Sequence, residues 1–402
     1  MSLYDVVPVT VGDFKRRARR RLPNFMFNMV EGGANDEETL GRNRHDFGRL
    51  ALRQRVLRDV SSVSTETTLA DERVQLPVAL APIGMAGMFA RRGEVQAALG
   101  AKRAGVPFTC STVSLCSVEE IQTGVQGPFW FQLYMMRDRE FIQSLLQRAW
   151  NAGCRTLMFT VDMPLLGWRW RDIRNGMMGG GLAANISKNL QIAARPFWAY
   201  DVGLKGQPHT VGNLRTEHGC PTIMNASRDF IANQFDRSVT WKDITWIRDQ
   251  WSGKLLIKGV METDDARAAV DVGADGVIVS NHGGRQLDGV SSTISKLPGI
   301  AESVGSQVEV MIDGGVRSGI DVVKAVALGA RGVMIGRPWI YALAAAGEGG
   351  VSRLLDTFQQ EIAYAMVLMG VNRLEDISSD HLEDWRDHLS PRKPCQHDGN
   401  LL

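Results

Sequence analysis

The sequence predicts an α/β protein, a (β/α)8 TIM barrel with an N-terminal helical cap and a long insertion after strand 4. Three observations carry that reading. From Pro77 onward, short β-rich apolar runs alternate with helix-length amphipathic segments, the pattern of parallel strands joined by right-handed helical crossovers. About eight such units can be counted, the number that closes a barrel. No GxGxxG turn follows the first strand, Val78 to Ala81, where an open doubly wound sheet would usually carry one.

The 402 residues are read as one domain, with residues 1–76 as the cap, 77–376 as the barrel and 377–402 as a C-terminal tail. Such a length has room for more than one domain, yet a barrel with insertions uses it as a single unit. In the cap, Lys15-Arg16-Arg17-Ala18-Arg19-Arg20-Arg21 reads as the solvated face of a first helix ended by Leu22-Pro23, in preference to an anionic-lipid contact. Strands are expected at Val78 to Ala81, Phe108 to Ser111, Trp130 to Tyr134, Thr156 to Val161, Leu255 to Lys258, Val277 to Ser280, Val308 to Ile312 and Val333 to Ile335. Between and after them, Gly93 to Arg103, Arg137 to Ala152, Thr263 to Val272, Gly319 to Leu328 and Val351 to Leu368 carry helical patterning.

The insertion, residues 173–240, is compositionally unusual. Gly176-Met177-Met178-Gly179-Gly180-Gly181-Leu182 is rich in glycine and methionine, and Ile192 to Tyr200 sets aromatics beside Arg195. Three readings stay open: a lid over the barrel mouth, an interfacial membrane contact through Trp198, Phe197, Arg195 and Lys188, and an ordinary ordered loop.

Composition bounds the partners. With 44% hydrophobic and 22% charged residues the chain reads as globular, and a net charge of +2 gives no global attraction to nucleic acid. Cys110, Cys116, Cys154, Cys220 and Cys395 form no CxxC or His/Cys ligand cluster, which suggests reduced thiols and no metal. The N-terminus lacks the apolar core of a signal peptide and no run of about 18 apolar residues occurs, so the expectation is a cytoplasmic protein, soluble or peripherally bound.

In a barrel, the C-terminal strand ends converge on one mouth, so what each strand ends in is the functional test. The first ends in Pro82, Ile83 and Gly84, the second in Ser111, the third in Gln132 and Tyr134. The fourth gives Thr160 and Asp162, followed by Arg169; the fifth gives Lys258 and the sixth Ser280, His282 and Arg285. The seventh and eighth end in Asp313-Gly314-Gly315-Val316-Arg317 and Gly336-Arg337, where barrels commonly bind phosphate through backbone N–H groups and a guanidinium fork. The other groups suit a small acid: Arg169 and Arg285 can clamp a carboxylate, Tyr134 can hydrogen-bond it or a hydroxyl, and His282 can accept a proton. Asp162 can hold the imidazole in one tautomer, and Lys258 can set positive charge under an electron sink; a buried Asp162–Lys258 ion pair is the structural alternative.

Ser280 to Asp288, Asp313 to Arg317 and Phe131-Gln132-Leu133-Tyr134 resemble the FMN-dependent L-2-hydroxy acid oxidising family of glycolate oxidase, mandelate dehydrogenase and the bacterial respiratory L-lactate dehydrogenases. The resemblance runs from about Phe14 to about Asp376, and Ala51 to Leu57, Ala79 to Gly84 and Ala90 to Ala98 are most similar to the respiratory lactate dehydrogenases. It implies FMN against Pro82, Ile83, Gly84, Ser111, Gln132, Thr160, Lys258 and Ser280, with its phosphate at Asp313, Gly315, Arg317, Gly336 and Arg337. It implies His282 as the base, Asp162 as its orienting carboxylate, Arg169 and Arg285 on the substrate carboxylate, and a homotetramer. The implied reaction oxidises the hydroxyl-bearing carbon of a 2-hydroxy acid, L-lactate foremost, to the 2-keto acid.

Two departures stand out. Met29 occupies the position where many relatives place a carboxylate-binding tyrosine, and Leu165-Leu166-Gly167-Trp168-Arg169-Trp170 brings two indoles beside the clamp arginine. With Gly84 near the flavin, the pocket either takes a side chain larger than methyl, as in a mandelate-type aromatic acid, or uses the indoles to pack the lid. Three functions remain: a dehydrogenase passing electrons to a quinone or other respiratory acceptor at the cytoplasmic face of the inner membrane, an oxidase forming hydrogen peroxide, and a phosphoryl-ligand-binding barrel without turnover. The oriented base argues against the last, since binding alone has no use for one.

Overall fold

The protein was analysed as a computed structural model, in which residues 7–177, 181–207, 209–214, 234–383 and 386 are described. Eight parallel strands form one sheet: β1 (Val78–Leu80), β2 (Thr109–Ser111), β3 (Trp130–Leu133), β4 (Thr156–Thr160), β5 (Lys254–Val260), β6 (Gly276–Val279), β7 (Glu309–Ile312) and β8 (Gly332–Ile335). Every strand pairs with its sequence neighbours, β8 pairs with β1, and a parallel bridge between Leu80 and Phe108 joins β1 to β2 and closes the barrel. The expected strands are all present.

Alternation along these strands builds two cores. Ala79, Trp130, Met158, Leu256, Ile278, Met311 and Met334 pack together inside the barrel, while their neighbours Val78, Phe131, Leu157, Ile257, Val277, Ile312 and Val333 pack outward under the helices. Both faces are dry, which is why the strands read as continuous apolar runs rather than as alternating ones. A hairpin, Thr67–Leu69 with Glu72–Val74, adds Leu69, Ala70 and Val74 to the inner cluster and stoppers the end opposite the strand C-termini. It is pinned there by the Trp130 indole N–H donating to Glu72 and the Ala70 N–H donating to Glu309.

The cap is helical only as far as Gly48. Helices α1 (Val11–Arg21), α2 (Asn24–Glu31) and α3 (Glu38–Gly48) precede a short strand, Ala51–Leu52, that pairs with Leu382–Glu383 of the returning tail. Helix α1 starts on a Thr10/Asp13 capping box, buries Phe14 and Ala18, and leaves Arg16, Arg19, Arg20 and Arg21 in solvent, so the basic cluster is a solvated helix face. The final helical stretch is longer than expected, Arg337–Met369, with a break at Ala346 and Gly347 that splits it in two.

In the insertion, the chain forms helices Trp170–Arg174 and Leu182–Ala193 and returns to the barrel through Trp241–Gln250. Residues 178–180, 208, 215–233, 384–385 and the tail beyond residue 386 lie outside the described residues, and Cys220 and Cys395 with them. Cys110, Cys116 and Cys154 are buried free thiols, their pKa values pushed up by burial.

Ile278 is fully buried in the inner cluster. Ile278→Ala is expected to lower the unfolding free energy by about 2–5 kcal/mol, read as a lower urea midpoint at unchanged slope.

Candidate active site

The eight strand C-termini open into a cavity of about 1130 Å³. Of the expected site residues, Pro82, Ile83, Gly84, Tyr134, Arg169, Lys258, His282, Arg285, Asp313, Gly315, Arg317, Gly336 and Arg337 line it. Ser111, Gln132, Thr160, Asp162 and Ser280 stand behind that lining rather than in it. They are polar groups at the strand ends, all buried except the partly buried Asp162, and Asp162 and Ser280 bond His282 and Lys258 in front of them.

His282 sits just past β6 with φ +56, a left-handed conformation that histidine tolerates better than most side chains, and Gly283 and Gly284 continue it at +64 and +74. The turn lets its ring reach back, and Nδ1 lies 2.9 Å from Oδ1 of Asp162, which follows β4. Burial holds the imidazole below its ordinary pKa, against the pull of Asp162. Burial opposes charge on Asp162 too, but His282 and Lys258 outweigh it and keep the carboxyl below its usual range. The pair at neutral pH is therefore an anion accepting the Nδ1 proton of a neutral ring, which leaves the Nε2 lone pair as the proton acceptor.

Lys258, at the end of β5, donates to Ser280 Oγ at 2.8 Å and ion-pairs with Asp313 at 3.0 Å. Its ion partner is thus Asp313, not Asp162, which is committed to His282. Burial lowers the ammonium pKa, and Asp313 and Asp162 more than restore it, so a fixed positive charge lies on the cavity wall. Tyr134 packs its ring on Phe235 at 5.1 Å, and burial pushes its hydroxyl up to about 12, so it stays a neutral donor at working pH.

The guanidinium groups divide their bonds between the cap and the cavity. Arg285 Nη1 donates to the carbonyls of Met29 and Gly32, and Arg337 donates to those of Val30, Gly32 and Gly283, all at 2.8–2.9 Å. Arg169 reaches the carbonyl of Arg285 at 3.4 Å. Burial beside Arg169 and Arg337 drives the pKa of Arg285 well down, and burial beside Arg337 brings Arg317 to about 10. Cations this poorly solvated favour an anion between them.

Four groups at the strand ends have unmet bonding capacity: the Gln132 side-chain N–H2, the Thr160 hydroxyl, Asp162 Oδ2 and Asp313 Oδ1 have no partner. A buried amide donor, a hydroxyl and a lysine along one edge suit a flat heterocycle with alternating carbonyl and N–H groups. At the other end Gly314 and Gly315, both at positive φ, Arg317 and the start of helix Arg337–Met369 at Gly336 suit a phosphate. These residues fit FMN.

Several positioning groups were not identified from the sequence. Asn281 and Asn43 exchange side-chain amide bonds at 2.8 and 2.9 Å, tying the His282 turn to α3. Gln286 donates to the carbonyls of Asp162 and Leu165 and accepts from Gly167, holding the β4 and β6 loops together. Both lie in the Ser280–Asp288 motif, but nothing in their residue type indicated what they hold. Of the two departures, Met29 and Trp168 line the cavity and Trp170 does not; Arg174 lies over the Trp170 ring instead.

A closed parallel barrel with an oriented imidazole, a pair of buried arginines on the cavity wall and a rim suited to phosphate fits a flavin-dependent oxidoreductase. The family model for FMN-dependent dehydrogenases matches residues 18–384, and the chain belongs to that family. It is 54% identical over 365 residues to an L-lactate dehydrogenase of Caulobacter sp. (strain K31), covering 91% of this chain and 96% of that one. It is 50% identical over 370 residues to an L-lactate dehydrogenase of Pectobacterium atrosepticum, covering 92% and 95%. Among solved structures it is similar to a monotopic membrane protein, (S)-mandelate dehydrogenase, with TM-score 0.88 and 34% identity over 94% of this chain and 99% of that one. A mandelate oxidase gives TM-score 0.80 and 38% identity over 94% and 98%. The reaction is FMN-dependent oxidation of an L-2-hydroxy acid to the 2-keto acid.

Arg317→Ala is expected to weaken FMN retention roughly 10- to 100-fold, the worth of one charge-assisted bond, measured as flavin lost on dilution and gel filtration.

Proposed function

We propose that the chain oxidises L-lactate to pyruvate, with His282 as the base, and passes the electrons to a quinone or another respiratory acceptor. The observation that carries the catalytic part is the Asp162–His282 pair: the Asp162 carboxylate, behind the cavity wall, meets at 2.9 Å the ring of His282, which lines the cavity together with Arg169 and Arg285. The arginines bind the substrate carboxylate, Tyr134 donates to it or to the hydroxyl, and His282 Nε2 takes a proton from the substrate. Asp162 stabilises the imidazolium that results. FMN, when bound, supplies the acceptor for the two electrons. The names of the relatives at 50–54% identity support lactate as the substrate.

A second reading, an aromatic 2-hydroxy acid, is favoured by Met29 and by the cavity's apolar wall of Phe25, Met88, Leu166 and Trp168. An anaerobic panel of L-2-hydroxy acids scored by loss of flavin colour separates the two. L-lactate is expected to bleach fastest; preference for mandelate selects the second.

The electron acceptor is inferred from the mouth. Trp198, expected at a membrane contact, is instead buried, its indole N–H donating to the Met88 carbonyl; Trp168, Ile173, Leu182, Ile186, Leu190, Phe197, Tyr200 and Leu204 are exposed, and Lys188, Arg195 and Lys205 lie among them, which is the composition of an interfacial membrane contact. Among the described residues no helix is long and apolar enough to cross a membrane. This reading puts the protein on the cytoplasmic face of the inner membrane as a homotetramer. After anaerobic bleaching, recolouring in air is expected to be slow and to be accelerated by a quinone analogue; rapid recolouring with peroxide would make the protein an oxidase.

His282→Ala is expected to keep the flavin but lose about 10²- to 10⁴-fold in reduction rate by substrate. In the wild type the rate rises with pH as the ring loses its proton and is already level by neutral pH, because burial holds that pKa below its ordinary value. Normal turnover in the variant would remove the assigned base.

A further inference from the structure

A buried carboxylate that the oxidation does not use faces the same cavity. Asp172 lies in the first turn of helix Trp170–Arg174, three residues after Arg169. It is 1% exposed, it lines the cavity, and neither of its carboxylate oxygens has a hydrogen-bond partner. Buried carboxylates without donors are rare, and this one opens onto the space the substrate occupies.

Its surroundings define its task. Arg285 from the β6 loop, Arg169 ahead of the helix and Arg171 on the helix favour its anion, in that order, while Glu37 of the cap, bonded to Arg171, opposes it. His282, Tyr134, Lys188, Lys258, Asp313, Arg317 and Arg337 are the other titratable groups on the cavity wall. Burial outweighs the arginines and raises the Asp172 pKa. Asp172 is in turn the largest favourable charge acting on Arg285. The unliganded clamp is thus two guanidinium groups with one internal carboxylate, and a substrate brings a second.

We propose that Asp172 is the exchangeable counter-charge of the clamp: it balances Arg285 and Arg169 in the unliganded enzyme and takes a proton from solvent when the substrate carboxylate binds in its stead. No covalent bond changes. One ligand anion and one proton enter together, so the net charge of the cavity is conserved. The inference rests on the clamp assignment above.

The test uses the FMN-loaded enzyme with a 2-keto acid, pyruvate with phenylglyoxylate beside it, since neither can be oxidised further at this carbon. Calorimetric titration in two buffers of different ionisation enthalpy counts the protons taken up on binding. The wild type is expected to take up nearly one at pH values where Asp172 is ionised in the unliganded enzyme, with affinity falling about tenfold per pH unit there. Asp172→Asn is expected to bind with no proton uptake and with pH-independent affinity. His282→Asn is expected to retain the uptake, so the outcome does not depend on the folding of one variant. Absence of uptake by the wild type, uptake that survives in Asp172→Asn, or uptake lost in His282→Asn would each overturn the proposal. Arg285→Lys reports on the clamp separately. A loss of keto-acid affinity of about tenfold or more supports the clamp, and unchanged affinity removes it whatever the proton count.

Discussion

The site depends on the way two arginines hold the last turn of a helix outside the barrel. The carbonyls at the end of α2 have no partners within the helix, and Arg285 and Arg337 supply donors to those of Met29, Val30 and Gly32. Those two side chains follow β6 and β8, Arg285 in the loop and Arg337 at the start of the last helix, so the cap is bonded to the barrel at the edge of the cavity itself. The Asn43–Asn281 amide pair repeats the connection one helix later. The cap and the turn that carries His282 are thereby bonded to each other.

The same contacts set the electrostatics. Closing the cap over the rim dries the guanidinium groups, and dry cations lose the solvation that ordinarily stabilises them. Arg285, Arg317 and Arg337 all have lowered pKa values through burial. The cavity consequently carries poorly solvated positive charge along its wall, which favours anionic ligands. The imidazole is held neutral by the same dehydration, so one physical cause prepares both the binding groups and the base.

The barrel was legible because each strand is buried on both faces and each crossover is amphipathic. The chemistry was legible because His282, Asp162, Arg285 and Lys258 are residue types whose presence at a strand end calls for explanation. What stayed hidden has no such signature. Asn43 reads as an ordinary polar position on α3, and only three-dimensional contact pairs it with Asn281. Asp172 reads as a helix-start acid in solvent, because sequence does not report burial. The hairpin at residues 67–74 was absorbed into a helical cap, since two strands of three residues joined by Ala70 and Asp71 at positive φ carry too little periodicity to register.

That hairpin has a bearing on traffic. With Leu69, Ala70 and Val74 wedged among the inner side chains, the lower end of the cylinder is plugged, and the described cavity lies at the upper end. A 2-hydroxy acid that reaches this cavity and the keto acid that leaves it therefore meet the same strand ends, and the plugged floor offers neither of them a way through.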